Sequence, residues 1–123
     1  MIDFQNGSYI KLRSVGLDSV KDVQSLLIPT EEIRGCFKGV RDHVVFTDKR
    51  VICVNTQGVT GKKKDYTSLP YSKVTAYSIE TAGHFDLECE LQLWFSGLGR
   101  VKFEFTSGTN IVQIGQDISQ FIL

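Results

Sequence analysis

The chain has no surplus of either charge. Fourteen Lys and Arg balance fourteen Asp and Glu, so nothing in the bulk composition draws it to nucleic acid or to an anionic membrane. It also lacks any apolar run near the roughly 20 residues that a helix needs to span a bilayer. Its three cysteines, Cys36, Cys53 and Cys89, are odd in number and far apart, with no C-x-x-C pair. Each lies within an apolar strand pattern, where a free thiol behaves as a small buried hydrophobe. That argues against a disulfide framework or a cysteine metal site, and for a reducing compartment. The opening residues MIDFQNGSY show neither a charged n-region nor an apolar h-region, so no secretory signal is expected. These absences predict a soluble, cytoplasmic protein.

Chemistry is equally sparse. Neither His43 nor His84 stands in a pattern with Ser, Cys or a carboxylate that reads as a nucleophile and its base. Asp42 and His43 are adjacent on a strand and point to opposite faces. Gly58-x-x-Gly61 lacks the spacing of a phosphate-cradling loop. Asp86, Glu88 and Glu90 alternate, with His84 two residues before Asp86. Such a row offers oxygen ligands, but one strand does not close a cage. No enzyme activity, cofactor or metal site is expected.

What is present is periodicity. At 123 residues the chain suits one domain with a real core. In DLECELQLWF, Asp86 to Phe95, the residues Leu87, Cys89, Leu91, Leu93 and Phe95 fall on one face, while Trp94 joins the acidic and polar residues on the other. This period of two identifies a half-buried strand. Ser96-Gly97-Leu98-Gly99 turns the chain, and Val101, Phe103 and Phe105 alternate again, giving a long hairpin with one apolar face. Further strands are expected at Glu31–Lys38, Asp42–Thr47, Arg50–Thr56, Asp65–Leu69 and Lys73–Thr81, with a tight turn at Asp48-Lys49. That makes seven strands with short connections.

Two helices flank them. Val20, Val23, Leu26 and Leu27 recur at helical spacing after the caps Asp18 or Ser19, and predict a short helix over about 18–28, ended by Pro29. Ile111, Ile114, Ile118 and Phe121 form a second stripe over about 109–122, capped by Thr109, with Gly115 permitting close approach. Residues 1–16 are set apart as an N-terminal extension to a domain over 17–123. Ile10 and Leu12 would suit a short strand there, but periodicity alone does not assign it. The order of elements predicts a mainly β fold: a seven-stranded antiparallel, partly open barrel capped by the C-terminal helix.

Particular blocks carry a family likeness. They are Leu27-Ile28-Pro29-Thr30-Glu31-Glu32, Arg41 to Arg50 (RDHVVFTDKR), Gln57 to Lys63 (QGVTGKK), Leu69-Pro70-Tyr71, Glu80 to Leu87 (ETAGHFDL) and Glu90 to Trp94 (ELQLW). In this order the chain resembles the bacterial pleckstrin-homology (PH) domain family of small single-domain bacterial proteins, over about residues 18–123. The resemblance implies a pleckstrin-like barrel, a tendency to build homo-oligomeric rings and no known catalytic residues.

Charge is unevenly divided. Residues 34–73 hold nine Lys and Arg against three Asp and Glu, a net +6, whereas residues 74–123 hold two against six, a net −4. In the barrel that the resemblance implies, the turn with Lys38 and Arg41 and the turn with Lys62, Lys63 and Lys64 open at one end. These five are the candidates for binding a phosphate or an anionic lipid head group. Lys38-Gly39-Val40-Arg41 does not reproduce the Lys-x-Arg spacing of inositol-lipid binders of the wider fold. Glu88, Glu90 and Trp94 are the candidates for an oligomer interface, with Trp94 either a contact residue or covered by the N-terminal helix. The expected function is non-enzymatic: head-to-tail association into a ring and contact with other proteins, with peripheral binding to anionic lipid as the alternative.

Overall fold

The protein's computed structural model describes Phe4 and residues 9–123; the rest of the segment before Tyr9 lies outside the described residues, and with it that part of the expected N-terminal extension. Among the described residues eight strands form one sheet: β1 Tyr9–Ser14, β2 Ile33–Lys38, β3 His43–Thr47, β4 Arg50–Gln57, β5 Lys63–Pro70, β6 Val74–Glu80, β7 Cys89–Phe95 and β8 Gly99–Phe105. Their spatial order is β5-β4-β3-β2-β1-β8-β7-β6. All pairings are antiparallel except β1 with β8, which is parallel. Although β5 and β6 follow one another through the short 3-10 turn Tyr71–Lys73, they do not pair, so the sheet stays open with those two strands as its edges.

The PH-like architecture expected from the sequence is therefore present, with eight strands rather than seven. The additional one is β1, inserted between β2 and β8. Its core residues are Tyr9 and Leu12, not Ile10 and Leu12; Ile10 is exposed. Lys11 sits at φ 53° and the β1–β8 register shifts between Tyr9 and Leu12. An extra residue taken up by this bulge breaks the period of two and turns Ile10 outward.

β7 begins at Cys89, so Asp86 and Glu88 lie in the preceding loop and do not share a strand face with Glu90. The loop is turned by Gly83 N–H donating to the Asp86 carbonyl at 2.6 Å, and it leaves Phe85 and Leu87 exposed. From Cys89 onward the alternation holds. Cys89, Leu91, Leu93 and Phe95 are buried, Glu90, Gln92 and Trp94 half-buried.

The barrel interior collects Leu12, Phe37, Val44, Phe46, Leu91, Leu93, Val101, Phe103 and Phe105. A second cluster lies on the other side of β2–β4, where Val20 and Val23 cover Cys36, Val45, Ile52 and Val54. β3 and β4 are thus buried on both faces, which is why VVF and VICV read as continuous apolar runs. The covering segment is a 3-10 turn, Leu17–Val20, followed by α1, Lys21–Gln24. The helix expected over 18–28 is one short turn of α-helix, and no side chain caps it. Val20 and Val23 supply its only fully buried anchors, while Leu26 stays exposed and Leu27 packs only partly on the same cluster, so little drives the helical stripe to continue.

α2, Ile111–Ile122, closes the barrel. Its cap is Asn110 rather than Thr109, the Asn110 side chain accepting from Gln113 N–H at 3.1 Å. Gly115 does permit close approach: a Cβ there would stand 3.3 Å from Ile79 of β6. Two further ties fix the helix. Tyr77 and Ser119 hydroxyls lie 2.7 Å apart, and Arg34 Nη2 meets Asp117 Oδ1 at 2.7 Å.

Candidate interaction surface

The site begins with the buried joint that aims the strands. Thr47 ends β3, and its hydroxyl accepts the backbone N–H groups of Lys49 and Arg50, both at 3.0 Å, across the tight turn. The same hydroxyl donates to Glu31 Oε2 at 2.6 Å. Arg50 grips that carboxylate with two donors, Nε to Oε2 at 2.9 Å and Nη2 to Oε1 at 2.8 Å. Its remaining reach ties in the Leu26 carbonyl and Ser68. Burial alone would raise the Glu31 pKa, but Arg50, Thr47 and the Ile28 N–H outweigh it and hold the carboxyl below its ordinary value. The sequence reading missed this joint. Its signal is the Glu at the start of one strand and the T-D-K-R turn, but nothing local says that they meet.

A second polar cluster fastens α1. Asp22 Oδ2 accepts from the Tyr66 hydroxyl at 2.8 Å and from Lys64 Nζ at 3.4 Å, with His43 Nε2 also 3.4 Å away. Burial lowers the His43 pKa below 6.5, with Lys64 and Lys38 adding to it and Asp22 opposing. Because the folded state then binds fewer protons than the unfolded chain, stability should be full above about pH 6.5 and fall as pH drops towards the lower folded value. Denaturant midpoints measured from pH 7 to pH 5 should decline for the wild type and stay nearly level for His43→Gln. A level wild-type profile would show that His43 is not desolvated.

The two basic turns do come together. Arg41 Nη2 donates to the Gly58 carbonyl at 2.8 Å, linking the β2–β3 turn to the β4–β5 turn. Lys38 is half-buried at the end of β2, and Arg41, Lys62 and Lys63 are exposed. Lys64 does not join them freely, since Asp22 holds it. Two residues that the sequence reading passed over share this end: Val40 is 84% and Val59 105% exposed. A valine inside a Gly-rich turn was the available signal.

The acidic half has its own order. Glu80 of β6 lies in register with Glu90 of β7, and Glu90 with Glu104 of β8. Lys102 reaches Glu90 at 3.5 Å and Glu104 at 3.4 Å. Burial first and the neighbouring Glu90 next raise the Glu104 carboxyl, with Lys102 opposing. Trp94 lies on the same outer face between Ala76 and Arg100. It is not beneath the N-terminal helix, which covers β2–β4 in the other half of the sheet. Glu88 is exposed in the loop before β7.

Residues 3–122 match the family profile described as Bacterial PH domain. The chain belongs to that family. The matched range takes in β1 as well as the blocks that carry the sequence resemblance. Among family relatives, the uncharacterised protein YjqA of Bacillus subtilis is 44% identical over 96 residues, covering 76% of this chain and 77% of its own length. A pleckstrin-homology-domain protein of Shewanella loihica superposes with a TM-score of 0.80 at 38% identity, covering 93% of this chain and 99% of that one. A pleckstrin-homology domain from Shewanella amazonensis gives 0.65 at 39% identity, with 96% and 93% covered. Among the described residues, no helix is long and apolar enough to cross a membrane, and no three His, Cys, Asp or Glu gather as a metal centre.

Proposed function

We propose that this protein is a non-enzymatic PH-like module that associates head to tail with copies of itself into a closed ring and works through protein contact. The observation that carries the reading is the coincidence of the charge division with the architecture. The +6 segment, residues 34–73, makes β2–β5, and the −4 segment, residues 74–123, makes β6–β8 and α2. These are the two halves of one open sheet, each ending in an unpaired edge. Unlike halves attract and like halves repel, which selects a heterologous contact, and such a contact closes into a ring when the rotation divides the circle. Glu88, Glu90 and Trp94 are the interface candidates on the acidic half. The proposal accords with a family that is generally non-catalytic. Three buried free thiols suit the reducing cytoplasm, where we place it.

Light scattering at micromolar concentration should give several times 13.8 kDa. Raising salt should weaken the assembly, and reversing Glu88 and Glu90 to Lys should shrink it. A single monomeric mass across dilution and salt would remove the proposal.

Exposed Val40 and Val59 beside Lys38, Arg41, Lys62 and Lys63 favour one second reading, docking on an anionic lipid surface. Pelleting with anionic and neutral liposomes at moderate salt separates the two.

A further inference from the structure

Where α2 closes the barrel, its first two turns leave a cavity of about 510 Å³ against β2 and the β8–α2 loop. The loop is turned by Gly108 at φ 86°. On the β2 side the wall is Gly35, at a register shift in the β2–β3 pairing. A Cβ there would stand 3.2 Å from the Phe37 ring, so only glycine lets that ring keep its place. The inner end of the cavity is apolar: Phe37, Phe46 and Ile118 are buried and Ile114 partly so. The outer end is polar and carries one charge of each sign, Arg34 of β2 and Asp117 of α2.

The two charges hold each other in place. Arg34 Nε donates to Asp117 Oδ2 at 3.3 Å and Nη2 to Oδ1 at 2.7 Å, and the guanidinium lies over the Phe121 ring, 5.7 Å from its centre. Little freedom is left for either side chain to lose on binding. Both keep capacity for a ligand. Arg34 Nη1 makes no hydrogen bond among the described residues, and each Asp117 oxygen accepts one bond from Arg34 where it has room for two. A simple anion at this mouth meets Asp117, and a simple cation meets Arg34, so each is opposed by a like charge. A zwitterion is opposed by neither. We propose that the cavity binds a free α-amino acid with an apolar side chain, its carboxylate on Arg34 Nη1 and its ammonium on Asp117. The two charges of an α-amino acid sit on neighbouring atoms, which matches the close spacing of the Arg34–Asp117 pair. The hydroxyls of Thr106 and Thr109 line the same cavity and add donors for the carboxylate. The side chain then enters the end formed by Phe37, Phe46, Ile114 and Ile118, and an apolar interior with a few placed polar groups is the usual build of a small-molecule site. This goes beyond self-association and does not depend on it.

The test is titration calorimetry on the full chain with L-phenylalanine and L-leucine, and with hydrocinnamate, phenethylamine and glycine beside them. Both apolar amino acids should bind. Hydrocinnamate lacks the ammonium and phenethylamine the carboxylate, so each should bind about ten- to a hundred-fold more weakly than L-phenylalanine, the loss of one hydrogen bond between charged groups. Glycine has nothing for the apolar end and should give no heat at millimolar concentration. Asp117→Asn keeps an oxygen for Arg34 but not the charge for the ammonium. It should narrow or abolish the preference for L-phenylalanine over hydrocinnamate, which a purely structural Asp117 would leave unchanged. Gln113→Trp, at an exposed α2 position that lines the cavity, should block binding, with thermal melts confirming that both variants fold. If either does not, the wild-type ligand series decides by itself. No heat with either apolar amino acid, equal affinity for L-phenylalanine and hydrocinnamate, or binding that survives Gln113→Trp would each overturn the assignment.

Discussion

Arg50→Ala should destabilise the fold by about 3–5 kcal/mol, measured as a shift in denaturant midpoint at neutral pH. The Glu31 side chain is only 1% exposed, whereas Arg50 is 22% exposed. Removing the arginine therefore strands a carboxylate that water cannot reach, and it also releases Leu26 and Ser68. Glu31→Gln should cost less, because it leaves the more exposed partner unpaired and its amide can still accept from Thr47. The pH dependence gives a sharper check. In the wild type the Glu31 pKa is held below 4.5, so its contribution is full above that value and is lost as pH falls through the lower folded pKa. In Arg50→Ala only the Thr47 hydroxyl and the Ile28 N–H still oppose burial, so the same pKa moves upward from its wild-type position. The variant should then lose less further stability on mild acidification than the wild type does, which is a shallower slope. A variant that melts in parallel with the wild type from pH 7 to pH 5 would show that Glu31 finds water when its partner is gone.

Phe103→Ala should cost about 3–5 kcal/mol and Leu91→Ala about 2–5 kcal/mol, as large-to-small changes in a closed core. Both side chains are 0% exposed. They belong to one row, in which Ile79 pairs with Leu91, Leu91 with Phe103 and Phe103 with Tyr9, crossing β6, β7, β8 and β1. The Phe103 ring also lies 5.7 Å from that of Tyr9 and 6.0 Å from that of Phe46, so it joins the two halves of the sheet. Its removal leaves a void whose walls belong to paired backbones and collapse poorly. A loss under about 1 kcal/mol for Leu91→Ala would mean that the buried face of β7 is inverted.

Much of the fold could be read along the chain. The alternation from Cys89 to Phe95 and from Val101 to Phe105 placed β7 and β8 on the correct face, because a strand sends successive side chains to opposite sides whatever it pairs with. The stripe of Ile111, Ile118 and Phe121 marked α2 for the corresponding helical reason. The alternation was misleading at Leu87, where the chain is already in a loop, and at Ile10, where a bulge at Lys11 shifts the phase. Of the candidate surface, the cations and carboxylates were visible as residues. The valines at the turn tips were passed over, because exposure is not written in a residue's type.

Local pattern and charge order belong to the sequence alone: which stretches are strands, which face of each is apolar, and that residues 34–73 are basic and residues 74–123 acidic. These follow from backbone geometry and residue chemistry within a few positions. The tertiary structure alone decided that β1 enters between β2 and β8, and that β5 and β6 stay unpaired. It likewise decided that Glu31 meets Arg50 and Thr47, and that α2 sets Asp117 on Arg34 and leaves a cavity beside them. Each is a choice among pairings of segments distant in the chain, settled by how much apolar surface the whole arrangement can bury while giving most enclosed polar groups a partner.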